Sequence, residues 1–530
     1  MSNKKFTPLE VYNNRQKLGI TNSVHMLIDI INEDNPTPVR VDAIKYLGSI
    51  ENIPNDVKNE CFETLENILI SEKNNELKCQ AANCMGKTKL EKSLEPMKWY
   101  LENCEVDYKT EKTILKAISN IRFEKPEIEL FIQYLDSQYN SIKHLVSDQL
   151  LKLVPNKAIK ILLESFDNNI SNICKKEIIR LVGYYIESLN VSFADSSYLK
   201  VKHPEIITTL SENIDNFISI LSFVDEEDEN LMEKITTIFK LLEEKAEKKL
   251  ISIVEDEDFI AKENAIYLIG KLKLRSAMQL LLENIDNFYS DISIASIRAL
   301  ANIGDISIIP ELLNTLDVED IEFEYIDMDM KWYIIETIKK IYLNDKSVTY
   351  DTLIEELEQS NEILKESIAY IMGEIGKDAF VDPLLSLLDK KENIDIKKNA
   401  VIALGKIGNI KAIDPLLNYI EDPREYWLLK KIIIDAIFNI FNENWYKIKK
   451  DEETRRILFM KRAFLMDHLK SKEKECFKVK LGIIKFLEKF GDKTAIDVLF
   501  RFVNDFHRIV KISAQNAIKT IGKRLEEEND

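Results

Sequence analysis

Along most of this chain apolar residues recur at i, i+4 and i+8, the spacing that lines one face of an α-helix. The clearest stretch reads Ile396-Lys397-Lys398-Asn399-Ala400-Val401-Ile402-Ala403-Leu404-Gly405-Lys406-Ile407-Gly408, with Ala412-Ile413-Asp414-Pro415-Leu416-Leu417 behind it. The same grammar returns at Val39-Arg40 with Leu47-Gly48, at Leu77-Lys78 with Met85-Gly86, and at Ile260-Ala261 with Ile269-Gly270. Further copies run from Ile292 to Gly304, from Leu364 to Gly376 and from Val510 to Gly522.

Each copy predicts a helix with one buried stripe. A small residue in its middle lets a neighbouring helix come close, and a trailing glycine ends it. A second amphipathic helix follows, often with a proline early in it (Pro96, Pro310, Pro383, Pro415), where no backbone N–H is lost from the ladder. Weaker copies without the glycine lie near residues 109–121, 142–153, 231–242, 331–341 and 428–440. Together they predict about a dozen or more helical hairpins of roughly 31 to 40 residues, none able to bury its apolar face alone.

These lines resemble HEAT repeats, especially the short subclass called phycobilisome-lyase-like. The resemblance is strongest over residues 259–316 and 364–420, fair at 35–101 and 479–522, and faint between 105 and 250. It implies an all-α fold, an α-solenoid wound as a right-handed superhelix and used for protein recognition, with enzymes a small minority. With helices about 8 to 10 Å apart, the stack extends on the order of 100 Å and offers a concave face lined by one helix of each pair.

Interruptions suggest an organisation. Residues 1–188 form N-terminal repeats, 189–205 an irregular loop or joint, 206–441 central repeats, and 442–530 C-terminal repeats carrying a basic helical segment. The acidic run Asp317 to Asp329 lacks the glycine and ligand spacing of a calcium loop and reads as a solvated link to a helix near Met330. The tail from Lys523 to Asp530 is charged and expected to fray.

Composition narrows the function. A single domain core stops growing near ~250 to 300 residues, so a chain of 530 is several domains or an array. Thirteen glycines and twelve prolines are too few for the turns of an all-β protein. No apolar run nears the roughly 20 residues that span a bilayer, and Met1-Ser2-Asn3-Lys4-Lys5 opens no signal peptide, so we expect no membrane insertion and a cytoplasmic protein. Cys61, Cys79, Cys84, Cys104, Cys174 and Cys476 form no C-x-x-C pair and read as reduced packing residues.

The formal charge of −18, from 73 Lys and Arg against 91 Asp and Glu, repels nucleic acid over most of the surface. The chain has no phosphate-binding glycine loop and no G-x-S-x-G elbow. Its five histidines (His25, His144, His203, His468, His507) sit apart from metal-spaced partners. We therefore expect no catalytic residue, cofactor or metal.

The expected role is a non-catalytic scaffold or adaptor for one or more proteins. One alternative is nucleic-acid binding through residues 445–480, where twelve cations face six carboxylates with Trp445, Tyr446, Phe459 and Phe464 interleaved. A second is a HEAT-type lyase or holder of a small molecule. The candidate partner-binding residues are Arg455, Arg456, Lys461 and Arg462, expected to project from neighbouring turns of one helix, with Trp445 and Tyr446 beside them. The competing reading of this segment is a solvated face, since Ile457, Leu458, Phe464, Leu465 and Leu469 make an ordinary buried stripe. All four tryptophans adjoin a tyrosine (Trp99-Tyr100, Trp332-Tyr333, Tyr426-Trp427, Trp445-Tyr446); neighbours about 100° apart on a helix are hard to bury fully on one stripe, so an anchor at a groove rim is the alternative to core packing, the expected reading of each pair.

Overall fold

A computed structural model describes residues 6–166, 170–189, 196–224, 228–255, 259–287, 289–316, 327–344, 349–388, 392–422, 425–471 and 475–527. Among them every regular element is helical. The chain forms two compact units, Met1–Leu268 and Ile269–Asp530, and the division falls inside helix Phe259–Leu272.

The repeat motif becomes one layer of helices in each unit. In the first these are Thr37–Leu47, Asn75–Thr88, Tyr108–Ile121, Asn140–Leu150, Asn172–Leu189 and Glu229–Leu242. In the second they are Ser290–Ile303, Asp327–Asn344, Glu362–Ile375, Ile394–Ile407, Trp427–Asn444, Phe477–Phe490 and Arg508–Glu527. All five weak copies are helices of this layer. The intervening helices form a second layer, and the core lies between the layers, filled by residues such as Leu404, Leu416, Ile437 and Phe486.

The glycines of the motif do two different jobs. Gly304, Gly376 and Gly408 follow the last helical residue at φ of 72°, 69° and 73°, a left-handed backbone that ends the helix at little cost only without a Cβ. Gly86, Gly270, Gly373 and Gly405 instead lie within their helices and face an alanine of the next motif helix: Ala117, Ala299, Ala403 and Ala436. A Cβ on any of the four would stand 2.7 to 2.8 Å from that alanine's Cα. At these four junctions motif helices thus meet at backbone contact, while second-layer helices of the second unit touch only at a few points.

An ion pair sets the register between repeats. The cation in the second position of the motif reaches across a hairpin to a carboxylate just ahead of the next motif helix. Arg40 meets Glu72 at 2.9 Å, Lys365 meets Glu392 at 3.1 Å, Lys430 meets Glu475 at 3.8 Å and Lys480 meets Asp505 at 3.0 Å. At Lys78 the acceptor is the Tyr100 hydroxyl, 2.8 Å away. Burial pushes the Asp505 carboxyl up, but the His507 amide and the Lys480 ammonium outweigh it and leave it below the ordinary carboxylate value.

Three expectations need correction or narrowing. The break at 189–205 is shorter than the sequence suggests, because Ser196–Lys202 and Pro204–Glu212 are helices and residues 190–195 lie outside the described ones. The acidic run is likewise outside them up to residue 326, and its helix begins at Asp327 instead of Met330. Helix Arg508–Glu527 runs past Lys523, and Arg524 donates to the Glu488 and Lys489 carbonyls at 3.0 and 2.7 Å, acceptors that a helix end leaves open; residues 528–530 of the tail lie outside the described ones.

Two measurements test this packing. Gly373→Ala should destabilise by about 1 to 3 kcal/mol through overpacking against Ala403, whereas Gly522→Ala, with open space around it, should be neutral or gain up to about 1 kcal/mol; urea midpoints of the two variants compare them directly. The second measurement concerns acid. A depressed folded-state pKa contributes stability that is present above the unfolded value of about 3.9 and is lost as pH falls through the folded value. The wild-type urea midpoint should therefore drop on going from about pH 6 to about pH 3, and Asp505→Asn should lose less over that interval.

Candidate functional site

The basic segment folds as helix Glu452–Ser471 in the second layer, and it does not present four cations on one face. Arg455 and Arg456 are exposed, with Arg455 3.4 Å from Glu452. Lys461 is drawn down to Asp414 on helix Ile413–Glu421. Arg462 is only 7% exposed: it donates to the Phe490 carbonyl at 2.9 Å, pairs with Asp492 and lies over the Phe459 ring at 4.6 Å. Burial pulls its guanidinium below the usual value, with Asp492 opposing the shift.

The expectation of a shared docking face is thus wrong for Arg462, whose fork closes the end of helix Phe477–Phe490. Trp445 is half-buried against Phe490, with ring centroids 4.9 Å apart, and Tyr446 is exposed beside Lys447. Lys472 and Lys474 lie outside the described residues, as does the Lys449 side chain.

A better-formed site lies on the motif layer of the second unit. Helices Ser290–Ile303 and Asp327–Asn344 bury Ile334, Ile338 and Ile341 toward the core, and the buried Thr337 hydroxyl donates to the Ile297 carbonyl at 3.4 Å. The helical period that sends these residues inward turns Trp332, Glu336, Lys340 and Leu343 outward. Together with Arg298 and Tyr333 they line a groove of about 530 Å³.

Trp332 is 53% exposed and meets the Tyr333 ring edge-on, with centroids 5.0 Å apart. Arg298 holds that tyrosine from the facing helix, donating to its hydroxyl at 3.0 Å with the guanidinium 5.0 Å from the ring centroid. Lys340 donates to Asn302 at 2.8 Å. Lys339 bridges Glu336 at 3.1 Å and Glu374 at 3.2 Å, and Lys406 joins the same Glu374. Lys406 foremost, with Lys339 behind it, holds the Glu374 carboxyl below the usual carboxylate range.

The groove therefore has a half-exposed aromatic face whose neighbours are already hydrogen-bonded. That arrangement suits a docking partner, since little side-chain freedom remains to be lost on binding. The sequence signalled it only through the Trp332-Tyr333 pair. Among the described residues no cluster of His, Cys, Asp and Glu is arranged to hold a metal, and no helix is long and apolar enough to cross a membrane.

Layered helical hairpins joined by short turns define an α-solenoid repeat protein. Residues 350–437 match the family model for HEAT repeats, so the repeats of this chain are HEAT repeats. The match does not confirm the phycobilisome-lyase-like subclass. No match was found among curated proteins. Similar solved structures include the karyopherin Kap121p bound to Pho4p, at 10% identity and a TM-score of 0.40, covering 97% of this chain and 63% of that one. This chain thus spans a little under two thirds of that protein's length. Another is importin beta, at 10% identity and a TM-score of 0.38, covering 98% of this chain and 78% of that one.

The two kinds of arginine separate in a stability measurement. Arg462→Met removes the donor to the Phe490 carbonyl and the partner of Asp492, whose side chain is 39% exposed, and should cost about 1 to 3 kcal/mol, the range for losing a buried charged hydrogen bond. Arg455→Glu and Arg456→Glu should each stay within about 0.5 kcal/mol of wild type in the same urea titration.

Proposed function

We propose that this protein is a non-catalytic scaffold that holds a protein partner on the motif layer of its second unit, with Trp332 as the anchor. The observation that carries the reading is the groove between helices Ser290–Ile303 and Asp327–Asn344, where a half-exposed tryptophan stands beside a tyrosine fixed by Arg298. Energetic centres of protein interfaces are rich in Trp, Tyr and Arg, and this groove gathers one of each. The layer chosen follows from spacing. In a stack whose motif helices touch at backbone distance and whose second-layer helices do not, the motif layer is the shorter side, so successive side chains there converge on a common ligand.

The test is capture of the partner from the source cells by the full-length protein, followed by site-directed crosslinking. Trp332→Ala should weaken capture by about 2 kcal/mol or more, roughly thirtyfold. A benzophenone side chain at Leu343 should crosslink the captured protein, and one at Met460, on the second layer, should not. Undiminished capture by the alanine variant, or crosslinks from Met460 alone, would refute the reading.

A further inference from the structure

We propose that the solvent face of the last three motif helices, Trp427–Asn444, Phe477–Phe490 and Arg508–Glu527, receives an acidic segment of a partner protein whose carboxylates alternate with apolar side chains. The proposal deepens the scaffold reading and rests on it.

Lys478, Lys485 and Lys489 are exposed and follow one another at helical spacing along helix Phe477–Phe490. Each ammonium lies over an aromatic ring: Lys478 is 3.9 Å from the Trp427 centroid, and Lys485 and Lys489 are 5.8 and 5.2 Å from that of Phe438. Among the described residues none of the three has a carboxylate partner. Cations on the preceding motif helices differ, for Lys398 is paired with Asp395 at 2.6 Å, Lys406 with Glu374 and Lys431 with Asp435.

A ring face attracts an ammonium less strongly than a carboxylate does and occupies no N–H donor, so Lys478 and Lys485 keep theirs for an anionic acceptor, and Lys489, which donates one N–H to the neutral Asn442 amide oxygen, still carries an unneutralised charge. Apolar contacts lie alongside them. On helix Arg508–Glu527, Ile512 shares a stripe with Thr520, which donates to Glu488 at 3.1 Å and so fixes that stripe beside the lysine row. Ile509 and Ile512 are exposed there and offer surface for apolar side chains beside the half-buried Phe438 and Trp427 rings.

The pattern favours a peptide over a nucleic acid. Asp435 and Glu488 interrupt the lysines, and they repel a continuous run of phosphates where spaced carboxylates can avoid them. A peptide places its carboxylates at the lysines and its apolar residues between them.

Fluorescence anisotropy with the full chain tests this. The probes are a fluorescein-labelled peptide of glutamate and leucine spaced by glycine and serine, the same peptide with lysine for glutamate, and an oligothymidylate strand. The acidic peptide should bind, less tightly as salt rises. The triple variant Lys478→Ala, Lys485→Ala, Lys489→Ala should weaken it about tenfold or more, with an unchanged melting curve. The corresponding triple arginine variant should keep the affinity, and Trp332→Ala should leave it unaltered, which separates this surface from the anchor groove. The inference is overturned if the lysine peptide or the oligothymidylate binds as tightly as the acidic peptide, or if the triple alanine variant binds it undiminished. Either result leaves the Trp332 reading to stand or fall on its own test.

Discussion

The contact on which this structure depends is a glycine of one motif helix set against an alanine of the next. Reducing the two side chains to a hydrogen and a methyl group brings two helix backbones together without leaving a void between them. The larger residues on either side, such as Leu404 and Met372, then turn toward the second layer and fill the core. Where the pattern lapses the packing changes character: Gly183 faces the stem of Lys234, whose ammonium pairs with Glu187 at 2.6 Å. Helix propensity alone would disfavour a glycine at these positions by about 1 kcal/mol each, so its recurrence within the motif helices is explained by packing.

Charge acts on top of this contact. The motif cation that reaches forward to Glu72, Glu392, Glu475 or Asp505 fixes each repeat against the entry of the next, and a shift of one residue would leave both ions of the pair unmatched. In the second unit the same abundance of charge is used differently on the solvent face. Lysines near the Trp332 groove are satisfied by Glu336 and Glu374 and make the groove stiff, whereas Lys478, Lys485 and Lys489 on helix Phe477–Phe490 rest on rings without a carboxylate partner among the described residues.

Much of the fold was legible in the sequence, because the 3.6-residue apolar period, the glycine that ends a helix and the early proline are local signals. Even the weak copies at 331–341 and 428–440 marked true motif helices. The two roles of glycine were not separable, since Gly405 and Gly408 look alike until Ala436 of the next repeat is seen opposite the first. Arg462 was misplaced for a similar reason: its partners Phe490 and Asp492 lie nearly thirty residues downstream, and a local excess of positive charge says nothing about which cation turns inward. The paired aromatics did point toward Trp332, but the arginine that fixes its neighbour, Arg298, belongs to another repeat. Lys485 and Lys489 escaped notice because the basic stretch that stood out in the sequence ended at Lys480.

The glycine–alanine line also decides how a unit can deform. Backbones already in contact cannot approach further, and the apolar core resists their separation, so wherever this contact occurs, as at Gly373–Ala403 and Gly405–Ala436, it behaves as an inextensible seam. Second-layer helices, meeting at few points, can fan apart or draw together at small cost. Elastic bending of the second unit would then take place about the seam, opening or narrowing the motif-layer surface while its residue-to-residue pitch stays constant. A ligand on that surface would meet a ruler of fixed graduation and adjustable curvature.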